Sequence, residues 1–296
     1  MIHADPAFWA SQVLNGLVTG TLLMLITFGL TIIFGILLVV NFAHGSLYAL
    51  GAYIAATIAM ALHQFWLSLI VVPIVVAILG AGIERFAIRP MRQRTVIMTL
   101  LLTFGLALII DELTRIVWGS APRAVPVPDL LQGAVALWGL SYPLYRLFIV
   151  AIGALIAFAL YLFLEKTDIG TVVRAASSDP EIVQVMGINT SALFTWVFAL
   201  GCGLAGLSGV IAAPLQTVGP SMGAEIIVDA FVVLVLGGLG SLRGTVLAAL
   251  LVGQVRMLGA AVISEYASVL TFVLMALVLL ARPRGLLNLG RLDDGH

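Results

Sequence analysis

The chain has one cysteine, Cys202, and one lysine, Lys166, among its 296 residues. A single cysteine makes no internal disulfide and, without other ligands, no zinc site. Set in an apolar run, Cys202 reads as a small buried helix residue. No Gly-x-x-x-x-Gly-Lys-Ser/Thr stretch precedes or contains Lys166, so the chain lacks a phosphate loop and does not hydrolyse ATP alone. Histidine is scarce as well. His3, His44, His63 and His296 are scattered, whereas an intramembrane enzyme needs clustered His, Asp or Glu on facing helices. Charged residues make up only 9% of the chain, against about 25% in a soluble domain that must cover its surface. The 14 Lys+Arg equal the 14 Asp+Glu, so the balance gives no pointer to nucleic acid. The first eight residues hold no Lys or Arg, and without a positive n-region a cleaved signal peptide is not expected.

What is present is hydrophobicity: 62% of residues are apolar. Several runs reach the roughly 20 residues needed to cross a bilayer core about 30 Å thick. They do not alternate as barrel strands do, so helices are expected. Residues 9–40 are too long for one straight span and contain Gly16, Gly20, Gly29 and Gly35, leaving a tilt, a break or two short passes open. The run ends in Asn41-Phe42-Ala43-His44-Gly45, a polar break, and a helix is expected from about residue 46 to 62 with Ser46 as its cap. A turn at His63-Gln64 leads to a span over 66–88, a basic loop over 85–94 and a span over 95–118. The proline-bearing stretch 119–142 reads as a loop with a short interfacial helix near 130–137. Further spans fall at 144–164, 190–213, 226–236, 245–263 and 268–281. The expected fold is an all-α polytopic membrane protein, a single domain over 1–296. It is expected to have eight to ten membrane segments with interrupted helices and a two-fold internal repeat. The repeat rests on Gly45-Ser46-Leu47 and Gly240-Ser241-Leu242, each set between an apolar half-length segment and an apolar helix.

Basic residues in short loops mark the cytoplasmic side. Arg85, Arg89, Arg92 and Arg94, then Lys166 and Arg174, then Arg282, Arg284 and Arg291 are separated by even numbers of crossings and share that side. The N-terminus lies outside if residues 9–40 cross once. The longest polar segment, 165–189, is therefore cytoplasmic. Asp179 before Pro180 is a helix start, with Asp as cap and Pro at the first position. Glu181 suits the positive helix end, Ile182, Val185 and Met186 share one face, and Gly187 suits the end. The spacing predicts a short helix with an apolar stripe, either an ordinary interfacial helix or a knob that docks into a soluble partner. His44 and Asn41 are expected to satisfy the backbone of the broken helix. Asp229 and Arg256 lie within or near spans, where charge pairs or lines a pathway. Asp111, Glu112 and Arg115 are spaced for a local pair at a helix end.

Four of these segments resemble one family. Asn41-Phe42-Ala43-His44-Gly45 with Tyr48 and Gly51-Ala52-Tyr53, then Arg174-Ala175 through Asp179 to Gly187-Ile188-Asn189, then Gly237-Gly238-Leu239-Gly240-Ser241 with Gly244, and last Arg282-Pro283-Arg284-Gly285-Leu286, resemble the permeases for high-affinity branched-chain amino acid uptake, in order, over residues 11–290. One departure is Ile182-Val183-Gln184-Val185, where the family often carries an alanine a few residues before Gly-Ile. The resemblance implies a binding-protein-dependent ABC importer of the bacterial inner membrane. Its partners are a second permease, two ATPases carrying ATP and magnesium, an external substrate-binding protein and membrane lipid. No cofactor, metal or catalytic residue falls to this chain. Family substrates are branched-chain amino acids, with urea, amides and other small metabolites among relatives. The ATPase contact then falls to Arg174, Ala175, Asp179, Glu181, Ile182, Val185, Met186 and Gly187. The translocation path falls beside the breaks, at Asn41, Phe42, His44, Gly45, Gly237, Gly238, Gly240 and Ser241, because irregular backbone at membrane depth must be covered by protein or water. The alternative is a stand-alone secondary transporter driven by an ion gradient, for which Asp229 is the candidate carboxylate.

Overall fold

The computed structural model describes residues 6–92, 94–137 and 140–287. His3, Arg291 and His296 lie outside them. Among the described residues, seven helices are long and apolar enough to cross a membrane. The first, α1 (Pro6–Leu37), answers the question its length posed: it is one continuous helix of 32 residues, about 48 Å at 1.5 Å per residue. Its glycines do not break it; they let neighbours approach. Next come α2 (Ala43–Leu62), α3 (Phe65–Ile83), α4 (Val96–Trp118) and α5 (Leu144–Lys166). The short α6 (Asp168–Ser178) and α7 (Pro180–Val185) follow, then α8 (Thr190–Ala212), α9 (Met222–Gly237), α10 (Leu242–Val262) and α11 (Ala267–Ala281). With 16 and 15 residues, α9 and α11 are shorter than the seven.

Burial divides the helices. Most of α1, α2 and α8 is enclosed, while α3, α4 and α5 turn much of their length outward. The outward residues are apolar: Ile70, Ile74 and Ile78 on α3, Leu101 and Leu108 on α4, Leu155 and Phe158 on α5. Such faces suit lipid. Helix α1 packs along α10, α8, α5 and α9, and α8 along α3 and α2, so α1 and α8 form the spine.

Three local expectations are corrected. The basic loop 85–94 is helical through Met91: α3 runs into a π turn, Glu84–Ile88, and a 3-10 turn, Arg89–Met91. The interfacial helix expected near 130–137 is instead a 3-10 turn, Asp129–Leu131, and a hairpin of β1 (Ala134–Leu137) and β2 (Leu140–Pro143), antiparallel with Ala134 opposite Pro143. Gly133, at φ 109°, and Pro143 bracket that segment and exclude a helix through it. Ser46 is not a cap, because α2 starts at Ala43; the Ser46 hydroxyl donates to the Ala107 carbonyl of α4 at 3.3 Å.

Candidate functional site

The first break, residues 38–42, joins α1 to α2. Leu38 turns the chain with φ 54°. Asn41 is fully buried, and neither atom of its amide has a partner among the described residues. The Phe42 ring lies 6.3 Å from Phe104 of α4 and 5.1 Å from Phe231 of α9, closing the space between those helices. His44 is fully buried against Gly29, where an added Cβ would lie 2.6 Å from the His44 Cε1. Its Nε2 is 3.0 Å from the Ile26 carbonyl oxygen. His44 and Asn41 therefore do not support the broken backbone as expected. The His44 ring bonds to intact α1, the Asn41 side-chain amide bonds to nothing described, and it is Thr103 of α4 whose hydroxyl donates to the Val40 carbonyl at 3.1 Å. Gly45 packs on Gly223 of α9.

The second break joins α9 to α10. Gly238 and Gly240 take φ 94° and 84°, a region that L side chains avoid. Ser241 caps α10, its hydroxyl accepting from the Gly244 N–H at 3.1 Å. A Cβ on Gly244 would sit 1.8 Å from the Gly237 carbonyl oxygen, so the two helix ends touch backbone to backbone. The Arg282–Leu286 segment folds back here. Gly285 lies against Gly238, and the Leu286 N–H donates to the Leu236 carbonyl at 2.8 Å, satisfying an end group of α9. The end of α1 arrives at the same place, with Gly35 against Gly240.

The polar segment begins beside this break. Gly240, Ser241 and Arg243 line a cavity of about 420 Å³ together with Phe34, Gly35 and Leu38 of the α1 end and Arg174, Ser177 and Ser178 of α6. Glu165, at the end of α5, lies 4.0 Å from Arg174 and 3.7 Å from Arg243. Arg174 thus faces Glu165. Further on, the Asp179 carboxylate caps α7, accepting from the Glu181 and Ile182 N–H groups at 2.9 and 3.0 Å, with Pro180 at the first position and Gly187 at φ 84° beyond its end. Ala175 is exposed, and its carbonyl accepts from the Asp179 N–H. Val183 turns inward at 3% exposure, while Ile182, Val185 and Met186 turn outward at 60, 89 and 73%. The apolar stripe is real and uncovered.

Two ion pairs were only partly legible. Asp229 of α9 and Arg256 of α10 bond to each other. Sequence reasoning missed Glu84, taking its neighbourhood as a plain basic loop. The signal was a lone acid one residue ahead of four arginines. Its side chain is wholly buried, with Arg92 Nη2 donating to Oε1 at 2.5 Å and the Thr195 hydroxyl donating to Oε2.

Two glycine-packed helix breaks among helices of spanning length are the layout of a multi-pass membrane permease. The comparison of sequences gives the same class. Residues 12–279 match the family described as "Branched-chain amino acid transport system / permease component", and the chain belongs to that family. Relatives include the high-affinity branched-chain amino acid transport system permease protein BraD of Pseudomonas aeruginosa, 30% identical over 294 residues, covering 95% of this chain and 96% of BraD. The permease protein LivH of Escherichia coli is 31% identical over 298 residues, with the same coverage. A probable LivH of Methanocaldococcus jannaschii is 29% identical, covering 93% of this chain and 91% of its own. No solved structure matches the chain.

Proposed function

We propose that this chain is one permease subunit of an ABC importer that carries a branched-chain amino acid across the bacterial inner membrane. A binding protein delivers the substrate outside, and two ATPases, holding ATP and magnesium, drive transport from below. The observation that carries the reading is α7. A six-residue helix with a side-chain cap, a proline start and a glycine end leaves three large apolar side chains uncovered, and such a stripe suits helix-in-groove recognition by a partner. The names of the relatives supply the substrate class.

The same reading sets the topology. Counting α9 and α11 with the seven long helices gives nine crossings. Three precede the arginines at 85–94, which places the N-terminus outside and 165–189 inside. The two breaks, each leading from one apolar helix into the next, fit a two-fold repeat and stand beside the path. The test is co-purification of the ATPase and substrate uptake with Val185→Asp. The native side chain is exposed, so folding is expected to survive. A charge carried into an apolar groove costs about 2–5 kcal/mol, enough to lose the ATPase and uptake together. If the variant retains both at wild-type levels, α7 is not the coupling element.

A further inference from the structure

Among the described residues, Glu84 is the only carboxylate with no exposure at all. It stands where α3 loosens into the π turn Glu84–Ile88. Single π turns re-aim side chains and recur at functional positions. One carboxylate oxygen takes the Arg92 guanidinium and the other takes the Thr195 hydroxyl. The guanidinium carbon also lies 4.3 Å from the centre of the Phe194 ring. Phe194 and Thr195 belong to the first two turns of α8, whose N-cap Asn189 stands four residues beyond the end of α7. The three groups thus pin the foot of α8 to the foot of α3. Farther along, the same two helices meet at Gly80 and Cys202.

A buried ion pair is a poor source of stability, because desolvation offsets most of the attraction. What it can do is fix register between the elements it joins. Here those elements are the helix that α7 leads into and the helix beside it. Between α7 and α8 the chain is only Met186 to Asn189, and it turns through Gly187 with φ 84°. A push on α7 would bend that link unless the foot of α8 were held. We propose that Glu84 is a positioning residue for energy coupling: the Glu84–Arg92–Thr195 clamp makes the feet of α3 and α8 one rigid body, so that displacement of α7 moves both helices. The proposal rests on the reading of α7 as the coupling element.

The experiment uses the intact complex, with its ATPases and binding protein, in liposomes. Assembled complex, ATP hydrolysis and leucine uptake are measured for Glu84→Gln, Thr195→Val and Thr195→Ser. Glu84→Gln and Thr195→Val should assemble and hydrolyse ATP, while leucine moved per ATP falls at least ten-fold. Thr195→Ser keeps the hydroxyl and should keep the ratio. An unchanged ratio in assembled Glu84→Gln or Thr195→Val overturns the proposal, as does uptake that falls only in proportion to the amount assembled. Should Glu84→Gln fail to assemble, the Thr195 pair decides alone. Failure of the coupling reading is a separate result, seen when Val185→Asp keeps its ATPase and its uptake.

Discussion

Adding one methyl group at Gly244 should damage this protein more than removing many surface charges would. The Gly244→Ala Cβ would lie 1.8 Å from the Gly237 carbonyl oxygen and 2.7 Å from its carbon, both backbone atoms, and 3.0 Å from the Ser241 hydroxyl. Ordinary contact begins near 3.5 Å. The ends of α9 and α10 must therefore part by more than 1 Å, at a place where the chain also holds Gly238 and Gly240 at positive φ. No flexible side chain is available to yield. Overpacking in well-packed interiors costs about 1–3 kcal/mol, and a clash with backbone belongs at or above the top of that range. Separation of these ends should also pull the Leu236 carbonyl from the Leu286 N–H. The control is the same substitution at Gly82 or Gly105, on α3 and α4, where an added Cβ meets nothing within 4 Å. There alanine should be neutral or stabilising by up to about 1 kcal/mol through helix propensity. Equilibrium unfolding of the purified permease in mixed micelles, followed by tryptophan fluorescence, measures both signs. Wild-type stability and uptake in Gly244→Ala, or equal losses at Gly244 and Gly82, would refute the argument.

Two further outcomes are expected. In a Cys202→Ser background, cysteines at Arg94 and Ser177 should react with a membrane-impermeant thiol reagent only after the membrane is opened, and labelling of either in sealed cells from outside would reverse the topology. Asp229→Asn should lower the yield of folded protein by leaving Arg256 unpaired at membrane depth, and the exchange Asp229→Arg with Arg256→Asp should recover it; an exchange no better than the single change would mean that the pair is not what either residue is for.

Local chemistry was legible in the chain and long-range chemistry was not. The cap, proline start, stripe and glycine end of α7 all lie within nine residues, and the structure returns each of them. The two breaks were visible for the same reason, as glycine and polar residues in an apolar run. The errors at the breaks and at Glu84 arose where contacts are distant. Asn41 and His44 were assigned to the broken backbone beside them, yet His44 reaches Ile26 and the break is held by Thr103, far along the chain. Glu84 finds Thr195 across 111 residues, and no local pattern announces that. The hairpin was misread because four small and apolar residues fit helix or strand equally, and the deciding features are the flanking Gly133 and Pro143.

The structure adds a reason for the motifs to exist together. Read singly, the Gly-Gly break, the Arg-Pro-Arg-Gly-Leu segment and the polar segment at 165–189 are three unrelated stretches. In space Gly285 lies on Gly238, Gly240 lies on Gly35, and Arg174 shares a cavity and a carboxylate with Arg243. Two of these close approaches are between backbones, which tolerate little displacement before atoms collide. Glu165 thus stands between α6 and the second break, facing Arg174 on one side and Arg243 on the other. A movement of α8 is felt at α3 through Glu84. Because α6 and α8 flank α7 in sequence, one small exposed helix sits at the head of two mechanical connections. One leads to the α9–α10 junction and the other into the α3–α8 pair.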